Sequence, residues 1–371
     1  MTGLAEAVQM KLALRWLFSL GIAALFLWLS SRQWPLEAVL CDSVQLDRTT
    51  LLCVADHGVG PVFSWSVNLL ALVGAFAVLC VVHFLRVLRW SPLLRPLGDF
   101  EFSTLNRVGA VSFMAVFIFP LRLGEFARPY LISKTGKVRK SAAFGTIAVE
   151  RVLDGLMMAL LLALVLFFLP AGEGTTYVSL RAGALVALAV FATALVLLIV
   201  AYMSKPHAVR FVHGVAGMLS KGLASRLSGM MEAFIDGLKA MPSASTLLRF
   251  LLLTISYWGI NGLYYYLMAE AFGLTSLIDL AGAYAMMAAV AVGMMIPNSP
   301  ANVGSFWYFL LLPVALYGEP ELAGTPLAFA LAVWAMMLLQ YSLFAGFFLA
   351  TGRVTLDSIW SLQKKGLAEH E

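Results

Sequence analysis

The groups able to do chemistry fall in three short stretches. Glu150-Arg-Val-Leu-Asp154 interrupts an otherwise apolar run from Ser141 to Leu169. Its two carboxylates stand at i and i+4, on one face of a helix, with Arg151 turned to the side. A single ionised side chain at mid-bilayer costs about 2.5–3.5 kcal/mol on the insertion scale, so three together need partners or a water-filled cavity. They therefore form either an internal staple of ion pairs or a functional cavity. In Phe119-Pro-Leu-Arg-Leu-Gly-Glu-Phe-Ala-Arg128, the residues Arg122, Glu125 and Arg128 recur every third position, and neighbours three apart on a helix can pair. Pro120 and Gly124 work against a regular helix there. At an opened helix end, free backbone N–H groups would add to the pull on an anion. A plain juxtamembrane basic loop is the alternative. In Ile296-Pro-Asn-Ser-Pro-Ala-Asn-Val-Gly304, Asn298 and Asn302 offer uncharged amides beside Pro297 and Pro300. They can bind a headgroup or satisfy a loosened backbone.

The elements that position these groups are hydrophobic. The 371 residues are 61% hydrophobic and 12% charged, with mean hydropathy +0.89, far too apolar for an ordinary soluble domain. About 20 apolar residues cross roughly 30 Å of hydrocarbon, and Leu180 to Tyr202, Phe250 to Ala269 and Leu322 to Gly352 are runs of that kind. The run Trp16 to Ser31 lacks a small-residue cleavage site and is expected to be a retained first span. The pI of about 9.1 does not indicate nucleic acid, because the basic residues cluster in short loops and report topology.

Loop charges alternate. Lys11 and Arg15 place the amino terminus inside. The polar loop Arg32 to Ser64 reads as outside, a second span covers about Trp65 to Val82, and Arg86, Arg89 and Arg95 return inside. The uncharged run Val108 to Leu121 is short and has basic flanks on both sides, which predicts a re-entrant hairpin at about 104–135. Ser141 to Leu169 runs out and Leu180 to Tyr202 runs back. The region of about 205–246 is expected to form one or two amphipathic helices on the cytoplasmic leaflet. Tyr257, Trp258, Asn261, Tyr264, Tyr265 and Tyr266 read as an interfacial aromatic belt by default, with substrate contacts as the alternative. The uncharged stretch from Leu280 to Gly318 has acidic flanks and a break at Pro297, Pro300 and Gly304, which predicts an outside hairpin at about 280–318. Pro326 to Ala350 then returns inside. The expectation is an all-α, polytopic membrane protein with six spans and two broken hairpins. It forms a single transmembrane domain over residues 1–371, multi-pass in the cell (inner) membrane with both termini cytoplasmic. The halves 1–179 and 180–371 run in opposite directions, the pattern of an inverted repeat.

Cys41 and Cys53 share one polar loop and can form a disulfide or stay two thiols, while Cys80 lies in a hydrophobic run. No phosphate loop appears, and the scattered His residues have no ligand-like spacing, so no metal and no cofactor are expected.

Taken together, Ile118 to Arg128, Glu150 to Asp154 and Ile296 to Gly304 resemble the flippase-like transmembrane family of the lysylphosphatidylglycerol synthase membrane region. By position, that resemblance carries Pro120, Arg122, Gly124, Glu125, Arg128, Glu150, Arg151, Asp154, Pro297, Pro300 and Gly304. Members are implied in moving lipids such as aminoacylated phospholipids, and relatives are associated with hopanoids or polyprenyl-linked sugars. The sequence departs from the family in lacking a synthase domain and in reading Pro-Ala-Asn-Val-Gly where a glycine-rich Pro-Gly-Gly-Ile-Gly is common. The leading expectation is a transporter of a membrane lipid rather than an enzyme, with Arg122, Glu125, Arg128, Glu150, Arg151, Asp154, Asn298 and Asn302 at the headgroup. An integral-membrane enzyme on a lipid-linked substrate, or a subunit docking a lipid-modifying enzyme, are the alternatives.

Overall fold

The structure is a computed structural model describing residues 2–33, 40–55, 63–168, 175–218, 220–239, 244–295, 299–314 and 324–351. Pro297 and Asn298, named above as a break residue and a binding residue, lie outside the described residues, as does the carboxy-terminal stretch after 351. The described chain is helical, with one small sheet. Three helices are long and apolar enough to cross a membrane among the described residues, at Leu69–Leu94, Leu180–Met203 and Thr325–Ala350. The protein is an all-α, polytopic membrane protein.

Helix α1 (Thr2–Gln33) leads into a three-stranded antiparallel sheet, β1 (Ser43–Asp47), β2 (Thr50–Ala55) and β3 (Phe63–Asn68). The sheet corrects one expectation: the second span does not begin at Trp65, because residues 63–68 pair with β2, with Cys53 opposite Trp65. A disulfide joins Cys41 to Cys53, whose Cα atoms are 5.4 Å apart. Helix α2 (Leu69–Leu88) starts where Asn68 Oδ1 accepts hydrogen bonds from the amides of Leu70 and Ala71 at 3.0 and 3.2 Å, satisfying donors that a helix start leaves open.

After the short α3 (Ser91–Leu94), the first hairpin runs from α4 (Phe102–Ile118) through a 3-10 segment (Pro120–Phe126) to α5 (Ala127–Ser133). Helix α6 (Lys140–Phe168) follows, then α7 (Thr175–Met203). Two amphipathic helices form, α8 (Lys205–Gly217) and α9 (Lys221–Lys239), packed on each other. Helix α10 (Ala244–Ala271) leads to the second hairpin. Its arms are α11 (Leu280–Gly293) and α12 (Ser305–Val314), with a 3-10 turn (Pro300–Asn302) between them. Helix α13 (Gly324–Ala350) ends the described fold.

The core forms where the two halves pack. Helix α2 lies on α10, and each hairpin leans on the other half: α4 packs on α13, and α11 packs on α6. Within each half, α4 touches α2 as α11 touches α10, and α5 touches α6 as α12 touches α13. Leu185, Val186, Val190 and Leu197 of α7 and Leu17, Phe18 and Trp28 of α1 are instead exposed. Such surface is costly in water and natural in lipid.

Candidate functional site

Both hairpins are broken by backbone that a regular helix cannot hold. Arg122 has φ +58°, and Ala301, Asn302 and Gly304 have φ +51°, +58° and +78°. Non-glycine residues in this left-handed region cost about 1–3 kcal/mol each and persist only where surroundings impose them. The surroundings are close. A Cβ on Gly124 would run into the backbone of Ala115 and Val116 in α4, and one on Gly304 would lie 2.9 Å from the amide nitrogen of Leu27 in α1. Glycine at these positions lets each break press against a neighbouring helix. The opened backbone finds local partners. Ser299 Oγ donates to the Val303 carbonyl at 2.6 Å, Ser305 Oγ donates to the Asn302 carbonyl at 3.2 Å, and Trp334 Nε1 donates to the Ala301 carbonyl at 2.8 Å. Such groups left bare in hydrocarbon would cost several kcal/mol.

The two breaks touch each other. Arg122 Nη1 donates to the Met294 carbonyl at 2.7 Å, joining the first break to the end of α11, and its Nη2 donates to Glu125 Oε1 at 2.5 Å. From there an ionic chain runs inward. Arg151 faces Glu125 at 3.6 Å and donates to Glu150 Oε1 at 2.9 Å. Arg128 grips both oxygens of Glu150 at 2.8 and 3.1 Å. Arg89, the C-cap of α2, holds Asp154 through two hydrogen bonds at 2.6 and 2.8 Å and reaches Glu150 at 2.9 Å. Trp258 Nε1 of α10 donates to Asp154 Oδ1 at 2.9 Å. Charge-assisted, partly bidentate bonds of this kind are the strong class of hydrogen bond.

Exposure separates the chain into two layers. Arg128, Glu150 and Asp154 are 3%, 0% and 1% exposed, whereas Arg122, Glu125 and Arg151 are 22%, 13% and 24% exposed. The second group lines a cavity of about 140 Å³ between the breaks, together with Arg86, Asn261 and Asn302. Phe113, Tyr257, Trp258, Tyr265 and Met287 supply much of its apolar wall. The structure thus brings the three sequence stretches together at one place. It sets Arg122, Glu125, Arg151 and Asn302 on the cavity and Arg128, Glu150 and Asp154 behind it, where Glu150 holds Arg151.

These features match a known family over nearly all of the chain: its profile, described as the lysylphosphatidylglycerol synthase TM region, covers residues 16–345. The protein belongs to that family. The lysylphosphatidylglycerol synthase TM region thus includes both hairpins, α6 and the whole cavity. The chain is also similar to glycosyltransferase AglD of Haloferax volcanii, at 37% identity over 106 residues, or 28% of this chain and 17% of that protein. The matched stretch is about a sixth of the relative's length, so the relative's whole activity does not transfer. No solved structure matches.

Sequence reasoning missed several residues of this site. Arg86 and Arg89 read as loop charges that report the inside, yet Arg89 is completely buried, its guanidinium 4.3 Å from the centre of the Tyr257 ring. Arg86 lies 3.9 Å over Phe113 and donates to Tyr341 Oη at 3.1 Å. Tyr257, Trp258, Asn261 and Tyr265 are not an interfacial belt, since all four line the cavity. A signal was present: 257, 261 and 265 recur at i, i+4 and i+8, one face of a helix. Among the described residues, no group of three or more His, Cys, Asp or Glu is placed to hold a metal ion.

Proposed function

We propose that this protein moves a lipid across the membrane, the headgroup passing through the cavity between the two breaks while the tails stay in the bilayer. The observation that carries the reading is the cavity itself. It is a charged pocket between two interrupted hairpins, inside a helical body whose outer face suits lipid. Discontinuous helices at matching positions of two halves are where transporters place a substrate. The reciprocal packing of α4 on α13 and α11 on α6 supports an inverted repeat of residues 1–179 and 180–371, and the loop charges support about six full spans in the inner membrane with both termini cytoplasmic. Arg122 and Arg151 hold the phosphate of the headgroup, Asn302 and Asn261 meet its polar substituent, and Glu125 orients the two arginines.

The substrate class is a phospholipid or a lipid carrying a polyprenyl, hopanoid or glycolipid-type group. The chain acts as a transporter and not as an enzyme. Support for that comes from Glu150 and Asp154, all of whose carboxylate oxygens accept hydrogen bonds from arginine or tryptophan donors. Both are also buried behind the cavity and neutralised by arginine, which places them poorly to take a substrate proton. The similarity to a glycosyltransferase favours a second reading in which the chain transfers a sugar itself. Purified protein turning over a lipid-linked sugar, with loss in Asp154→Asn, is the result that supports it.

The test of transport is reconstitution into vesicles with fluorescent headgroup lipids and dithionite quenching. Wild-type protein is expected to speed translocation of at least one lipid, and the Arg122→Ala, Arg151→Ala double variant is expected to lose it. Undiminished translocation of every lipid by the double variant refutes the roles given to these residues.

A further inference from the structure

The charge around the cavity does not balance. Among the described residues, Arg86, Arg122, Glu125 and Arg151 line it, and Arg89, Arg128, Glu150 and Asp154 stand behind them. Five arginines meet three carboxylates, an excess of two positive charges. Each carboxylate already faces arginine: Glu150 meets three, Asp154 meets Arg89 and the Trp258 N–H, and Glu125 lies between Arg122 and Arg151. The unmatched donors point the same way. Among the described residues no carboxylate lies within ion-pair distance of Arg86, and its buried Nε makes no hydrogen bond. The buried Nε of Arg151 makes none either, with Glu125 Oε2 3.6 Å away. Uncompensated cations in low-dielectric surroundings require an anion.

We propose that the cavity is built for a dianionic phosphate, the terminal phosphate monoester of an amphiphile, in preference to a phosphodiester carrying one charge. The inference rests on the cavity being the headgroup site and names what that site selects. Three guanidinium groups converge on the cavity from three elements, Arg86 from α2, Arg122 from the first break and Arg151 from α6. Each is a planar guanidinium that keeps N–H donors suited to phosphate oxygens beyond those spent on Tyr341, Met294, Glu125 and Glu150. A dianion matches the excess of two charges, whereas a diester leaves one guanidinium uncompensated. Phe113, Tyr257 and Met287 beside these groups provide an apolar wall for the first methylenes of the tail.

The experiment is calorimetric titration of the full-length protein in a non-ionic maltoside detergent at pH 8, where a phosphate monoester with a second pKa of about 6 is doubly charged. The probes are dodecyl phosphate, methyl dodecyl phosphate and inorganic phosphate. The first is expected to bind at least tenfold tighter than its methyl ester and at least a hundredfold tighter than inorganic phosphate. Arg86→Gln should bring the monoester and the methyl ester within about threefold of each other. Arg86→Lys, which keeps the charge, should preserve the preference. Equal affinity of monoester and methyl ester for the wild-type protein overturns the inference and leaves lipid transport standing. Inorganic phosphate binding as tightly as dodecyl phosphate makes this a free-anion site and overturns it too. So does failure of all three to bind, while the vesicle translocation assay decides the transport reading independently.

Discussion

Arg89→Met should be among the most destabilising single substitutions in the protein. Arg89 is fully buried and makes two hydrogen bonds to Asp154 and one to Glu150. After its removal Glu150 keeps Arg128 and Arg151, but Asp154 keeps only the Trp258 N–H and a 3.9 Å contact with Arg151. Of the three charged hydrogen bonds lost, the two that leave Asp154 short of partners cost about 1.5–3 kcal/mol each, in line with the roughly 3–5 kcal/mol expected when one partner of a buried ion pair is removed. Asp154→Leu should cost a similar amount, because it leaves Arg89 with Glu150 alone. The double variant Arg89→Met, Asp154→Leu removes both charges and strands chiefly the Trp258 N–H, a loss of about 1–3 kcal/mol. Its cost should therefore fall below that of either single variant. Equilibrium unfolding in mixed maltoside and dodecyl sulfate micelles, followed by circular dichroism, measures all three. A single-variant cost under about 1 kcal/mol, or costs that add within about 0.5 kcal/mol, would refute the reasoning that Arg89 and Asp154 are one buried unit.

Gly124→Val should cost about 3 kcal/mol or more, because the backbone of Ala115 and Val116 cannot retreat as a side chain could. Gly183→Ala, with open space at its Cβ, should be neutral or stabilising in the same unfolding assay. Polyethylene-glycol maleimide on the denatured, unreduced chain should mark Cys80 alone and mark all three cysteines after reduction. Cys41→Ser should cost the sheet about 3 kcal/mol by loop-closure entropy, seen as roughly hundredfold faster amide exchange across β1 and β2 by mass spectrometry. Cysteines placed at Ser133 and Gly324 should label from opposite faces of the membrane, and labelling of both from one face overturns the assigned topology.

The sequence displayed some of this plainly and hid the rest for physical reasons. Long apolar runs identify membrane helices because nothing else tolerates them, and the breaks are visible as prolines and asparagines inside such runs. Glu150 and Asp154 stand out because carboxylates in an apolar helix require a cause. Arg89 is hidden because an arginine at the end of a span has an ordinary explanation, the inside loop, and only its distance to Asp154 removes that explanation. The sheet was readable in principle. Ser43-Val-Gln-Leu-Asp47 and Phe63-Ser-Trp-Ser-Val-Asn68 both alternate polar and apolar residues, the period of a half-buried strand, but hydropathy averaging over span-length windows erases a period of two. For Tyr257 and Tyr265 of α10 the default reading gives way to the alternative; aromatic residues near a helix end fit an interfacial belt, and a single chain gives no sign of what faces them.

The buried ionic chain is poorly explained as a device for stability. A buried ion pair often matches or trails a hydrophobic replacement of equal volume, so seven charged residues linked from Arg89 to the Arg122 break are an expensive way to hold helices that already bury Tyr264, Phe306 and Phe329. What the chain does that leucines could not is fix Arg122 and Arg151 at the cavity edge with their charges intact. Glu150 and Asp154 supply the counter-charge from behind, and Arg89 and Arg128 keep those carboxylates from turning toward the cavity. The excess of positive charge then falls where the two breaks meet, with Arg122 bridging to the Met294 carbonyl of the opposite half. An anion arriving there would compete with Met294 for the same guanidinium. In the proposed transport function, the group that would bind the ligand is thus also one that ties the two halves together.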